Sequence, residues 1–255
     1  MSSDQYNIVC YADDAVLMAE NEDDLQRLLQ KFNISALKYN MSISTSKTKA
    51  LTVSKEPIRC KLYLNNAPIE QVMEFKYLGV ETTSHRDLHA EVRHQAARAA
   101  AISGCLRDVV WKNKYMNIKN KIRIYKTCVR PIMTYAAETR ADNTRTKRTL
   151  RTTEMKTLRT ICGYSLRDKK RSSDIREECE VQDIVRWSRS RRRYWRDHVN
   201  RMDDTRLAKR VQKNLPASNT RPRGRPPKRW YESWTSESQL RLMLSTMTPS
   251  NTQSR

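Results

Sequence analysis

The sequence is short of the residues that build a core: Leu, Ile, Val and Phe number 47 of 255, just under the ~20% level below which a highly charged chain tends to disorder. Part of it is expected to be unfolded by itself. No apolar run approaches the ~18 residues of a membrane span, and the start lacks the basic and apolar regions of a signal peptide. The expectation is an intracellular protein, nuclear or cytoplasmic, with no membrane partner. The six cysteines, Cys10, Cys60, Cys105, Cys128, Cys162 and Cys179, form no CxxC pair. In a reducing compartment they read as free and mostly buried thiols. His85 and His89 stand four residues apart, but no third or fourth ligand is near, so zinc is not expected.

Acidic residues are the minority sign. With 50 Lys+Arg against 28 Asp+Glu the net charge is +22, which points to polyanionic partners and above all nucleic acid. The imbalance is local: residues 1–80 carry 9 basic and 10 acidic groups, 81–170 carry 21 and 8, and 171–255 carry 20 and 10. A near-neutral N-terminal third therefore precedes a basic remainder. Such a surface binds phosphates with strong salt dependence and little sequence preference.

What the N-terminal third does have is a carboxylate pair between two apolar runs. Ile8–Tyr11 precede Ala12-Asp13-Asp14, and Ala15–Met18 follow, so the stretch predicts a β-hairpin with the aspartates at a hydrated tip and buried flanks. Two readings are open, an ordinary acidic turn or paired ligands for a hard cation such as Mg²⁺.

Asn21 then reads as the N-cap of a helix with Glu22, Asp23 and Asp24 in its first turn. Leu25, Leu28, Leu29, Phe32 and Ala36 share one face. Strands are expected either side of Lys47-Thr48-Lys49, at 61–64 and at 75–80. Beyond residue 85 the pattern turns helical, with Ile118, Ile122, Tyr125, Val129 and Ile132 on one stripe, a helix over 144–161 ending near Gly163, and an Arg-rich helix within 183–202. In the last, Trp187 and Trp195 can anchor on a core with the arginines in water, or aromatic and Arg surfaces can face a nucleic-acid backbone. Arg191, Arg192 and Arg193 are its candidate contacts.

The succession "YADD", "SKTKAL", "FKYLGV" resembles the second half of the palm of a non-LTR retrotransposon reverse transcriptase. "YKTCVRPIMTYAAET", "LRTICGYSLRDKKRSSDIRE", "HVNRM" and "RPRGRPPKRW" are similar to the region after that palm. The resemblance implies an α+β fold: a partial palm of β-hairpin, helix and small antiparallel sheet over 1–84, a helical thumb-like region over 85–165, a basic helical region over 166–212 and a flexible basic tail over 213–255. It implies RNA-directed DNA polymerisation by two-metal nucleotidyl transfer with Mg²⁺ or Mn²⁺. Asp13 would be the more direct metal ligand, Asp14 a weaker one, and Lys47 would approach the incoming triphosphate. Tyr11 would lie near the primer end, and Phe75, Tyr77, Leu78 and Gly79 in the hairpin that grips the primer, with Gly79 permitting its tight turn.

The same resemblance implies an N-terminally truncated chain, without fingers or the strand of the earlier catalytic aspartate. It is expected to be inactive alone and completed by the missing polymerase half or another copy. Arg140 and Asp197 stand where such relatives usually carry Trp and Gly, a departure read as drift. Independently, Arg223-Gly224-Arg225-Pro226 resembles an AT-hook, whose arginines enter the minor groove of A·T-rich DNA. The alternative function is then a non-catalytic nucleic-acid-binding protein. The partners are RNA template, DNA primer or A·T-rich DNA.

Overall fold

The computed structural model describes residues 7–213, apart from 55, 57 and 86, and the chain divides into two units between Asp87 and Leu88. The first unit is built on a helix that begins where a cap can form. Asn21 accepts a hydrogen bond from the Asp24 N–H at 2.8 Å, and three carboxylates fill the first turn of α1, Glu22–Lys38, where the helix dipole favours anions. Leu29 and Ala36 are buried, with Leu25, Leu28 and Phe32 half-buried beside them, as the sequence periodicity requires.

Around that helix lie β1 (Ile8–Tyr11), β2 (Asp14–Leu17), β3 (Lys49–Ala50), β4 (Leu62–Leu64), β5 (Ala67–Gln71), β6 (Glu74–Tyr77) and β7 (Val80–Thr83). They form three small sheets, β1-β2, β3-β5-β4 and β6-β7. Leu62, Leu64 and Ile69 alternate inward and join Leu29, Ala50 and Cys60 in one core, against which Leu17, Leu25 and Ile43 pack. The β4–β5 connection is Asn65-Asn66, with φ of 50° and 62°, the left-handed pair of a type I′ hairpin turn that Asn tolerates.

Three expectations need correction. The sheet is not wholly antiparallel, because β3 pairs parallel with β5 through Lys49↔Glu70 and Ala50↔Gln71. Only Lys49–Ala50 is strand around Lys47, since Ser44 accepts the Thr48 N–H at 3.0 Å and closes a turn over 45–47. The thiols are not mostly buried: Cys10, Cys105 and Cys128 are exposed, and Cys60 and Cys179 are the buried ones.

The second unit is helical. It comprises α2 (Leu88–Cys105), a π-turn at Arg107–Trp111, α3 (Ile118–Ile124), a π-turn at Tyr125–Val129, α4 (Arg130–Met133), α5 (Thr144–Cys162), α6 (Ser172–Glu178), α7 (Ile184–Arg201) and α8 (Leu207–Lys213). One core collects Val92, Trp111, Tyr125, Leu150, Ile175, Ile184 and Val185 among others, and so runs across residue 165. Gly163 caps α5 at φ 77°, a left-handed C-cap that glycine adopts freely.

The second π-turn has a cause in the sequence. Pro131 has no N–H, and its ring would meet the carbonyl of Thr127 in a regular α-helix; instead the Arg130 N–H reaches back to the Tyr125 carbonyl, widening the turn by one residue. The buried stripe consequently ends on Met133, fully buried, rather than on Ile132. Among the described residues no helix is long and apolar enough to cross a membrane.

Candidate active-site hairpin and nucleic-acid interface

Strand pairing carries the carboxylates to a hairpin tip. Ile8↔Leu17, Val9↔Val16, Cys10↔Ala15 and Tyr11↔Asp14 are in register, leaving Ala12-Asp13 as a two-residue turn. Ala12 stands at φ 51°, a left-handed conformation that strains an L-residue and recurs in primed hairpin turns. Asp13 and Asp14 are both exposed, and Tyr11 keeps 64% of its surface open.

The flanks are not buried as expected. Ile8 is 42% exposed, and Val9, Val16 and Leu17 are only half-buried. Each strand of a two-stranded sheet has a single neighbour, so it is Leu17, packed on the first core, that seats the hairpin.

Two further sequence candidates lie on other elements. Lys47 is exposed on the turn that follows Ser44. The second hairpin pairs Phe75↔Thr82 and Tyr77↔Val80 and turns through Leu78 and Gly79 at φ 47° and 82°, a I′ geometry for which glycine is the fitting residue. Phe75 and Leu78 are exposed, so this hairpin presents an apolar tip. The Tyr77 hydroxyl is buried without a protein partner.

Asp13 and Asp14 are oxygen donors of the kind hard divalent cations take. Among the described residues, however, no group of three or more His, Cys, Asp and Glu side chains assembles. A two-metal site needs ligands that clamp both ions, and this pair supplies only part of such a set. The fit is therefore incomplete. His85 is exposed, and His89 Nε2 lies 3.2 Å from Thr149 Oγ1.

On α7 the three consecutive arginines separate. Arg191 and Arg193 are exposed. Arg192 is 3% exposed; its Nε donates to the Ala137 carbonyl at 2.6 Å, and its guanidinium is paired with Asp142. This corrects its assignment to an outward contact surface, because helical spacing turns position 192 onto the buried side with Ser188 and Val199. Arg186, Arg189 and Arg193, spaced i, i+3 and i+7, share the exposed face.

Arg140 is buried in a polar network. Its Nε donates to Asp142 at 3.1 Å and its Nη1 to Gln95 at 3.0 Å, with Glu91 at 3.4 Å. Burial raises the Glu91 carboxyl above its ordinary value, against the pull of Arg140. Sequence reading missed this network because its members are spread over three elements. It also missed the Arg130 guanidinium, 4.6 Å from the centroid of Trp187.

Asp183 makes a pH-dependent contribution. It caps α7 by accepting from the Val185 and Arg186 N–H groups at 3.1 Å, and it pairs with Arg151 at 2.8 Å and Arg176 at 3.2 Å. Burial pushes its carboxyl up, but Arg151, the Arg186 N–H and Arg176 together hold it below its ordinary value. A depressed carboxylate contributes stability above its unfolded pKa, near 4, that is lost as pH falls through the folded value. Asp183→Asn keeps a capping oxygen and loses the charge. It is expected to cost about 1 kcal/mol at pH 7, an amount discounted for the exposed Arg151, and nothing once both chains are fully acidified. Urea unfolding of both chains from pH 7 to pH 2 checks this; a gap that persists at acid pH would contradict it.

Comparison with known proteins bears on the first unit: residues 2–82 match the reverse transcriptase (RNA-dependent DNA polymerase) family. The chain is similar to the transposon-derived protein F52C9.6 of Caenorhabditis elegans, 27% identical over 232 residues, covering 88% of this chain and 82% of that protein. It is also similar to the RNA-directed DNA polymerase from mobile element jockey of Drosophila funebris, 29% identical over 168 residues. That second match takes in 61% of this chain and 18% of the jockey protein. No solved structure matches. Residues 2–82 thus form a reverse-transcriptase domain segment, related to that of a jockey-like non-LTR element. Arg223, Gly224 and Arg225, with the rest of the tail, lie outside the described residues.

Proposed function

We propose that the first unit is the carboxylate-bearing end of an RNA-directed DNA polymerase palm and that the second is a basic helical region holding its nucleic acid. The observation that carries this reading is the exposed Asp13-Asp14 pair on a tight hairpin within the matched residues 2–82. Asp13 and Asp14 serve as divalent-cation ligands in a complete palm, Tyr11 and the Phe75–Gly79 hairpin face the primer, and Lys47 faces the triphosphate. With only a partial ligand set among the described residues, the chain alone is expected not to extend a primer.

Manganese binding tests the assignment. Titrated with Mn²⁺ in the presence of a primed RNA template, the chain is expected to take up the ion weakly. Asp13→Asn is expected to weaken uptake about tenfold, because affinity for hard cations follows ligand charge. Equal uptake by both chains would instead favour the second reading, a nucleic-acid-binding protein whose carboxylates take no part in catalysis. That reading draws on the net charge of +22, all of it from beyond residue 80. Nucleotide incorporation by the 255 residues, abolished by Asp13→Ala, would overturn the expectation of inactivity.

A further inference from the structure

We propose that Cys162 and Cys179 form a redox-reactive dithiol that a peroxide converts to an intramolecular disulfide. The two Sγ atoms lie 3.2 Å apart although the residues are 17 positions apart in the chain, and both are free thiols. Local structure brings them together. Cys162 is the last residue of α5, after which Gly163 turns the chain away; Cys179 caps α6, after which Glu180 turns at φ 49°. The two helix ends meet on the main core, Cys179 buried within it and Cys162 half-buried at its edge. Among the described residues no other two thiols meet.

The surroundings assign different roles to the two sulfurs. The thiolate is the reactive form. The hydrogen bond with Cys179 lowers the Cys162 pKa against its burial and the charge of Glu178, with smaller help from Lys170 and Lys121. That same bond, together with burial, pushes Cys179 up. Cys162, the more open of the two, is thus the attacking sulfur and Cys179 the resolving one.

The chemistry balances with one hydrogen peroxide. The Cys162 thiolate attacks a peroxide oxygen, the O–O bond breaks, Cys162 becomes a sulfenic acid, and the departing hydroxide takes up the proton Cys162 released to leave as water. The Cys179 sulfur then attacks the sulfenic sulfur, the S–O bond breaks, and a second water departs with the Cys179 proton. Two thiols lose two electrons to the peroxide. The new bond ties the end of α5 to the end of α6 and encloses the segment carrying Arg176, which pairs with Glu154 at 2.7 Å.

The test uses the full chain, reduced, freed of reductant, treated with stoichiometric hydrogen peroxide and then alkylated. Peptide mapping is expected to find the 162–179 cross-link, reversible by dithiothreitol, and the cross-linked chain to melt about 5–10 °C higher. In Cys179→Ser, Cys162 is expected to accumulate as a sulfenic acid trapped by dimedone; in Cys162→Ser, Cys179 is expected to stay unmodified. Recovery of Cys162 and Cys179 as alkylated thiols, while the exposed Cys10, Cys105 and Cys128 oxidise, would overturn the proposal. The mapping on the unsubstituted chain decides the matter even if a serine variant fails to fold.

Discussion

Asp142→Ala is expected to destabilise the second unit by about 3–5 kcal/mol, the range for removing one partner of a buried ion pair. Its side chain is 1% exposed and lies between two guanidiniums, those of Arg140 and Arg192, themselves 2% and 3% exposed. Without it, Arg192 keeps only the Ala137 carbonyl, and Arg140 keeps Gln95 and a more distant Glu91. Arg192 would then be a buried cation with no carboxylate beside it, in a place where water cannot replace the lost partner. Urea unfolding followed by far-ultraviolet circular dichroism measures the loss. Asp142→Leu combined with Arg192→Leu is expected to be less damaging than Asp142→Ala, since it removes both charges of a pair together. A single variant no worse than about 0.5 kcal/mol would show that the network contributes little.

The second large effect is in binding. Exposed Arg145, Arg148 and Lys156 on α5 and Arg186, Arg189, Arg191 and Arg193 on α7 offer cations to a phosphate backbone. If six or more phosphates are neutralised, affinity for duplex or single-stranded nucleic acid is expected to fall about 10³-fold between 50 and 200 mM salt. Replacing Arg189 and Arg193 by Ala is expected to reduce the log–log salt slope by about two on B-DNA. Arg192→Met, by contrast, is expected to lower stability and leave that slope unchanged, because its guanidinium is engaged inside the protein. Fluorescence anisotropy at several salt concentrations separates these outcomes. A slope near zero for the unsubstituted chain would remove nucleic acid as the partner of this surface.

The local signals in the sequence were those the structure uses. Asn21 and the three carboxylates after it mark the start of α1, and Gly163 marks the end of α5. The apolar runs around Asp13-Asp14 form the two strands of a hairpin, because short apolar runs and a tight turn are both written in consecutive residues. What was not legible depends on partners far along the chain. β5 was missed because Pro68 weakens its strand pattern, yet its pairing with β4 and β3 holds the first core together. Arg192 looks the same as Arg191 and Arg193 in the sequence. Only the direction of α7 against Ala137 and Asp142 distinguishes it. The partners of Arg140 likewise show only once Asp142 and Glu91 are seen beside it.

The wide turn at Tyr125–Val129 makes the spacing of the chain matter there as well as its composition. An α-helix advances about 100° per residue, so the extra residue held in that turn sets the angular phase of everything that follows: Pro131 clear of the preceding carbonyls, Arg130 over Trp187, Met133 in the core. Exchanging one side chain for another, Pro131 apart, leaves that phase intact. Deleting a single residue between Ile118 and Met133 would not, because the turn would tighten and bring the proline ring against the carbonyl it now avoids. Sequence drift along this helix is therefore open to substitution and closed to changes of length.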